Sequence, residues 1–262
     1  MIVLKNVGKT FGSVKVLESI SFRINPGEFV CITGKSGAGK STLLHLLTGA
    51  EMISRGSIEI DGVDLRTVPA PVMQLFRRRL GIVFQDYKLL RNRTVAENIA
   101  FPLEVCGVPD AEITKRVRTV LAQMDLTKHA NTLPAALSGG EKARTAIARA
   151  VVHSPLILLA DEPTGNIDPE QSLEIMRLFR EIHAKGTTVV IATHDTGLVD
   201  ELQTRVIELK DGKVSRDSVG GYAKTKHGAE PHVASHGKHD VCKEESDTGN
   251  HRRKVRVTAV SS

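Results

Sequence analysis

The sequence predicts an α/β protein with a mixed, mainly parallel core sheet, a small antiparallel β subdomain and an inserted helical subdomain. Three observations predict it. A glycine-rich loop, Gly34-Lys35-Ser36-Gly37-Ala38-Gly39-Lys40-Ser41, stands between an apolar strand-like run and a helical pattern. Three further apolar runs, 80–84, 156–160 and 188–193, are set among stretches of helical character, the alternation that builds a parallel sheet. Between the first two of them helix follows helix with no strand.

Taken in order, 2–7 and the alternating stretch 16–24 read as an antiparallel pair of strands joined near Phe11-Gly12-Ser13. Asn25-Pro26-Gly27-Glu28 turns the chain into a buried strand over 29–33, and a helix over 41–47 follows the glycine loop. A strand over 56–61 ends at Asp61-Gly62. A helix over 72–79 precedes the run 80–84, with Gln85 at its end. Helices over 95–105 and 111–124 form the inserted subdomain; Ile113, Val117, Val120, Leu121 and Met124 mark one face of the second. Leu137-Ser138-Gly139-Gly140-Glu141 opens a helix whose last turn lies near Val151, and the run 156–160 is tipped by Asp161-Glu162. A helix over 169–184, a strand over 188–193 ending at His194 and a last strand over 205–209 complete the pattern.

The domain expectation is therefore a nucleotide-binding domain over 1–215, with its helical subdomain at about 90–150, and a polar, basic, disordered tail over 216–262 where apolar periodicity stops. His232, His236, His239 and Cys242 have spacings that a metal tolerates, but Pro231 and Gly237 argue against a helix that would preorganise them. The cluster Arg252-Arg253-Lys254-Val255-Arg256 suits a contact with anionic lipid; with Tyr222 alone for base stacking and no heptad run, no specific nucleic acid is expected.

Composition is that of a soluble globular protein: 40% hydrophobic, 25% charged and a formal net charge of +6. No stretch approaches the roughly 18 apolar residues of a membrane span, the start carries no signal pattern, and three scattered cysteines make no disulfide framework. The expected location is the cytosol.

The chemistry follows from the loop. Its glycines let backbone N–H groups of Gly34, Lys35, Ser36, Gly37, Ala38, Gly39, Lys40, Ser41 and Thr42 wrap an anion; Lys40 neutralises outer phosphates and Ser41 holds Mg²⁺. The helix that follows adds the positive end of its dipole. Asp161, at a strand's carboxyl end, suits the same Mg²⁺, and Glu162, one position beyond, suits a water poised for in-line attack. The implied reaction is Mg²⁺-dependent hydrolysis of a nucleoside triphosphate.

The glycine loop, Gln85, Leu137-Ser138-Gly139-Gly140-Glu141, Asp161-Glu162, Asp168 and His194 occur in the order seen in ATP-binding-cassette (ABC) ATPases, which the chain resembles from Ile2 to Val214. The resemblance implies a P-loop NTPase of the ABC type. It also implies that Phe11 stacks on adenine, that Gln85 senses Mg²⁺ and the γ-phosphate, and that His194 contacts the γ-phosphate. Ser138, Gly139 and Gly140 open a helix that makes a second anion site; by the resemblance it closes on the nucleotide of a second subunit in a head-to-tail homodimer, with Asp168 at the interface. Phe84-Gln85-Asp86-Tyr87-Lys88-Leu89-Leu90, Arg93 to Asn98 and Ala160 to Asn166 resemble the FtsE family of cell-division ATPases. That resemblance implies an FtsX-like transmembrane partner, a peripheral place on the cytoplasmic face of the bacterial membrane, and control of peptidoglycan hydrolases. The lipoprotein-releasing and macrolide-export ATPases, which share the Gly-Asn-x-Asp loop, are the alternative, and a DNA-associated ATPase or scaffold a remote one.

Overall fold

The computed structural model describes residues 2–222. An antiparallel sheet comes first: β1 (Ile2–Phe11) and β2 (Val14–Ile24) pair through Phe11↔Val14 to Ile2↔Ile24. After β3 (Phe29–Thr33) and α1 (Lys40–Leu47), β4 (Arg55–Ile60) joins the other edge of β1 and the short β5 (Val63–Asp64) closes the order β2-β1-β4-β5.

The second sheet carries the site. After α2 (Ala70–Arg77), β6 (Leu80–Val83) forms its edge. The helical subdomain follows, with α3 (Val95–Val105), α4 (Asp110–Gln123) and α5 (Gly139–Val151). The chain then returns through β7 (Ile157–Asp161), α6 (Pro169–Ala184), β8 (Thr188–Ala192), α7 (Thr196–Leu202), β9 (Arg205–Lys210) and β10 (Lys213–Val219). The strand order is β10-β9-β3-β8-β7-β6, parallel except for β10.

Alternation within each buried strand decides which core its side chains enter. Val30 and Ile32 of β3, with Leu159, Val190 and Ile207, meet Leu43, Leu44, Leu46 and Leu47 of α1, whose other side is covered by Ile2, Leu4, Ile20, Ile24, Ile58 and Ile60 of the antiparallel sheet. Phe29 and Cys31 face the opposite way, into a second core with Phe179 and Ile175 of α6 and Ile99, Val117, Leu121 and Ile147 of the helical subdomain. The helix holding the phosphate loop is thus packed between two sheets.

Two expectations need correction. The stretch after Arg205–Lys210 continues as β10, and described structure extends to Tyr222, so residues 216–222 belong to the fold rather than to a disordered tail. β10 is an edge strand whose side chains alternate exposed and half-buried, so it needs almost no apolar periodicity. Its signal is the turn Asp211-Gly212, where φ is positive at both residues, as a two-residue hairpin requires. The helix α7 was also absent from the sequence pattern; Asp195 caps it by accepting from the Gly197 and Leu198 N–H groups. The candidate histidine and cysteine metal ligands and the basic cluster at 252–256 lie outside the described residues.

Candidate active site

Four neighbouring parallel strands deliver the candidate residues to one edge. β3 runs into the glycine loop, β6 into Gln85, β7 into Asp161 and Glu162, and β8 into His194, so their carboxyl ends collect side chains that are remote in sequence. A cavity of about 550 Å³ there is lined by Ser36, Gly37, Gly39, Lys40, Ser41, Thr42, Gln85, Glu162 and His194.

The loop needs its glycines at two positions above all. Gly39 precedes α1 with φ 99°, and a Cβ there would lie 2.6 Å from Leu17 Cδ2. Gly34, at φ 144°, passes so close to the Leu209 carbonyl that any side chain would run into it. No side chain caps α1 and its first turn holds no acid, so its leading N–H groups are left for an anion.

Lys40 is buried and folded over the loop: its Nζ donates to the Gly34 carbonyl at 2.9 Å and lies 3.4 Å from Glu162 Oε1. Glu162 is 7% exposed and sits at φ 45°, a left-handed turn that aims its carboxylate into the cavity. Its Oε2 accepts from His194 Nδ1 at 2.9 Å. Asp161 Oδ1 has no hydrogen-bond partner among the described residues. Burial pushes the Asp161 carboxyl above the usual carboxylate range, and a hydrogen bond from Ser41 opposes that shift. A partly buried carboxylate oxygen without a donor, beside a hydroxyl, is a donor set that fits a hard divalent cation such as Mg²⁺.

Not every predicted residue reaches this cavity. Ser138 caps α5, accepting from the Glu141 N–H at 3.3 Å while Glu141 Oε2 accepts from the Ser138 N–H at 2.7 Å. Packing requires Gly139, where a Cβ would lie 2.9 Å from Ile167 Cγ2 and 3.0 Å from the Asn166 carbonyl oxygen; a Cβ on Gly140 would displace only the amide end of the Gln171 side chain. None of the three lines the cavity. Asp168 caps α6, accepting from the Gln171 N–H at 2.9 Å. Phe11 is also outside the lining and 44% exposed, its ring lying under the Lys9 ammonium at 4.4 Å. Lys9 is in turn fixed by Glu51 and the Met52 carbonyl, both at 2.8 Å.

Sequence reasoning missed three contributors. Val16 lines the cavity from β2 where Phe11 was expected. Asn166 Nδ2 donates to the Gln85 carbonyl at 3.3 Å, joining two site loops. Asn98, fully buried, exchanges hydrogen bonds with Leu90 in both directions and donates to the Arg93 and Thr94 carbonyls, fixing the chain between Gln85 and the helical subdomain. A polar residue inside an otherwise apolar helix face is the signal that marks Asn98.

Beside the site lies a groove of about 470 Å³ between α2, β6 and α3, lined by Phe84, Leu90, Phe101 and Val105, with Arg78, Arg149 and Cys106 at its walls. Arg149 spends its guanidinium on the Tyr87 and Lys88 carbonyls.

Comparison with known proteins agrees with this geometry. The ABC transporter family model matches residues 17–165. The chain is 46% identical to the cell division ATP-binding protein FtsE of Bacillus subtilis over 222 residues, 84% of this chain and 97% of that protein. Among solved structures it superposes on the dimeric ABC transporter cassette MJ0796 with a TM-score of 0.78 at 37% identity, covering 84% of this chain and 98% of that one. It also superposes on a dimeric post-hydrolysis state of the same cassette bound to ADP and Pi, with a TM-score of 0.77 at 35% identity and the same coverage.

Proposed function

The chain belongs to the ABC transporter family, in its FtsE group, and from that premise we propose that it is the ATP-binding and ATP-hydrolysing subunit of a cell-division complex on the cytoplasmic face of a bacterial membrane. The observation that carries this reading is the Glu162 carboxylate, held between Lys40 and His194 at a glycine loop whose helix has no cap of its own.

The residues divide the work by their chemistry. The N–H groups of 34–42 and the Lys40 ammonium bind the phosphates of ATP. Glu162 orients the attacking water and takes its proton, while Lys40 and His194 hold the charge that develops on the transferred phosphoryl group. Ser41, Asp161 and Gln85 are the residues that would hold Mg²⁺, which would supply positive charge to offset that of the phosphates. Phe11 presents its exposed face to adenine. Because Ser138, Gly139 and Gly140 stand outside the chain's own cavity, they serve the nucleotide of a second copy, in a two-fold homodimer that forms on ATP.

The groove lined by Phe84, Leu90, Phe101 and Val105 adjoins the Gln85 segment, and this reading places an FtsX-like membrane subunit there. No helix among the described residues is long and apolar enough to cross a membrane; attachment through that partner is part of the same proposal. The test is capture from detergent-solubilised membranes of the native cell with the Glu162→Gln protein and ATP. A four-span membrane protein with a large external domain, arriving with division or cell-wall hydrolase proteins, supports the reading. A lipoprotein-release or efflux permease in its place overturns the biological assignment and leaves the ATPase chemistry standing.

A further inference from the structure

The last described residues fold back onto the root of the phosphate loop. Gly220 and Gly221 N–H groups both donate to the Thr204 carbonyl, at 3.0 and 3.1 Å. The Arg216 guanidinium donates to the Gly221 carbonyl at 2.6 Å and lies 4.6 Å over the Tyr222 ring. The Tyr222 N–H donates to Asp200 Oδ1, and its hydroxyl lies 2.6 Å from Thr33 Oγ1.

These two contacts reach the two halves of the site from behind. Thr33 is fully buried at the end of β3 and immediately precedes Gly34, whose carbonyl holds Lys40 Nζ. Asp200 belongs to α7, which starts two residues after His194. One residue therefore joins the stem of the phosphate loop to the helix that follows the γ-phosphate histidine. Residue 222 lies beyond the span matched by the family model.

We propose that Tyr222 is a positioning residue for nucleotide binding: its hydroxyl fixes the Thr33 side chain, and with it the stem from which the Gly34 carbonyl and the loop N–H groups are presented. A stem that can shift must be ordered when phosphates bind, and that cost appears as weaker affinity. The proposal rests on the reading of 34–41 as the phosphate site.

Both hydroxyls can be removed with little change of shape, by Tyr222→Phe and Thr33→Val. Titration with a fluorescent ADP analogue is expected to show each variant binding about 3- to 10-fold more weakly, the range that one lost hydrogen bond gives. The double variant is expected to be no weaker than the weaker single one, because the two hydroxyls act as one pair. Melting temperatures without nucleotide report a purely structural role: a lowered midpoint with unchanged affinity in Tyr222→Phe overturns the proposal, as do losses that multiply in the double variant. Lys40→Ala separates the premises. If it binds the analogue as tightly as the unmodified chain, the phosphate-site reading fails and the proposal with it; if it loses binding while Tyr222→Phe does not, the proposal alone fails.

Discussion

His194 Nδ1 donates to Glu162 Oε2 at 2.9 Å while Lys40 Nζ stands 3.4 Å from the other oxygen of the same carboxylate. Glu162 is therefore engaged on both sides by the two groups that a γ-phosphate would draw to itself. On the proposed reading, bound phosphate would compete for both and leave the carboxylate to a water.

Replacing Glu162 by Gln keeps the shape and removes the proposed base. Steady-state phosphate release is expected to fall about 10²- to 10⁴-fold, the usual worth of a positioned general base. ATP affinity should stay within a few-fold, and size-exclusion chromatography with ATP should show a persisting dimer. Unchanged turnover removes Glu162 from its role.

Asp161→Asn should stabilise the protein without nucleotide. Burial raises the Asp161 pKa above its value in the unfolded chain. A group raised in this way contributes stability fully present below the unfolded value near 3.8 and lost as pH rises through the folded value, so at pH 7.5 its ionised form weakens the fold. Differential scanning fluorimetry should show a midpoint roughly 1–3 °C higher for the variant at pH 7.5. The gap should narrow as pH is lowered through the folded value toward 3.8. Addition of Mg²⁺ and ATP should then stabilise the unmodified chain and not the variant.

On the proposed reading Ser138 has two separable duties. Ser138→Ala loses the cap of α5 and is expected to cost about 1 kcal/mol of stability as well as activity. Ser138→Asp keeps a good cap but sets a carboxylate where a second copy's phosphate would lie. Its melting temperature should stay near that of the unmodified chain while ATP-dependent dimerisation, read by light scattering, is lost. If the Asp variant dimerises normally, Ser138 serves the helix alone.

Cys106 offers a probe of the groove proposed to dock the membrane partner. Burial pushes the Cys31 thiol up to about 11, while Cys106 is exposed. In a Cys242→Ser background, a maleimide at pH 7.5 should label Cys106 and leave Cys31 intact, as read by mass spectrometry. A bulky label is expected to abolish capture of the membrane partner with less than a two-fold change in the soluble protein's ATPase rate. Capture that survives labelling places the partner elsewhere.

The glycine loop, Asp161-Glu162 and His194 were legible in the sequence because their chemistry is local: each sits at the end of a strand whose apolar run announces it. The helical subdomain was legible for a related reason, since Ile113, Val117, Val120 and Leu121 repeat with the period of the face they bury. β10 escaped because an edge strand can be polar, and α7 because seven residues give too few turns for a period to emerge. The Asn166–Gln85 and Tyr222–Thr33 pairs escaped for a deeper reason. They join positions 81 and 189 residues apart, and nothing in either residue's neighbours records the partner.

The enclosure of α1 between two sheets holds the helix behind the phosphate loop in place from both sides. Leu43, Leu44, Leu46 and Leu47 are locked on both sides, so the phosphate-binding helix cannot tilt without opening a core. The helical subdomain shares the other core with β3, β7 and β8, while hydrogen bonds from Asn98 to the 90–94 segment and from Asn166 to Gln85 hold the chain between it and the site. On the proposed reading, a helix held fast beneath the phosphates would pass any shift at the nucleotide to the Gln85 segment, which adjoins the groove lined by Phe84, Leu90, Phe101 and Val105.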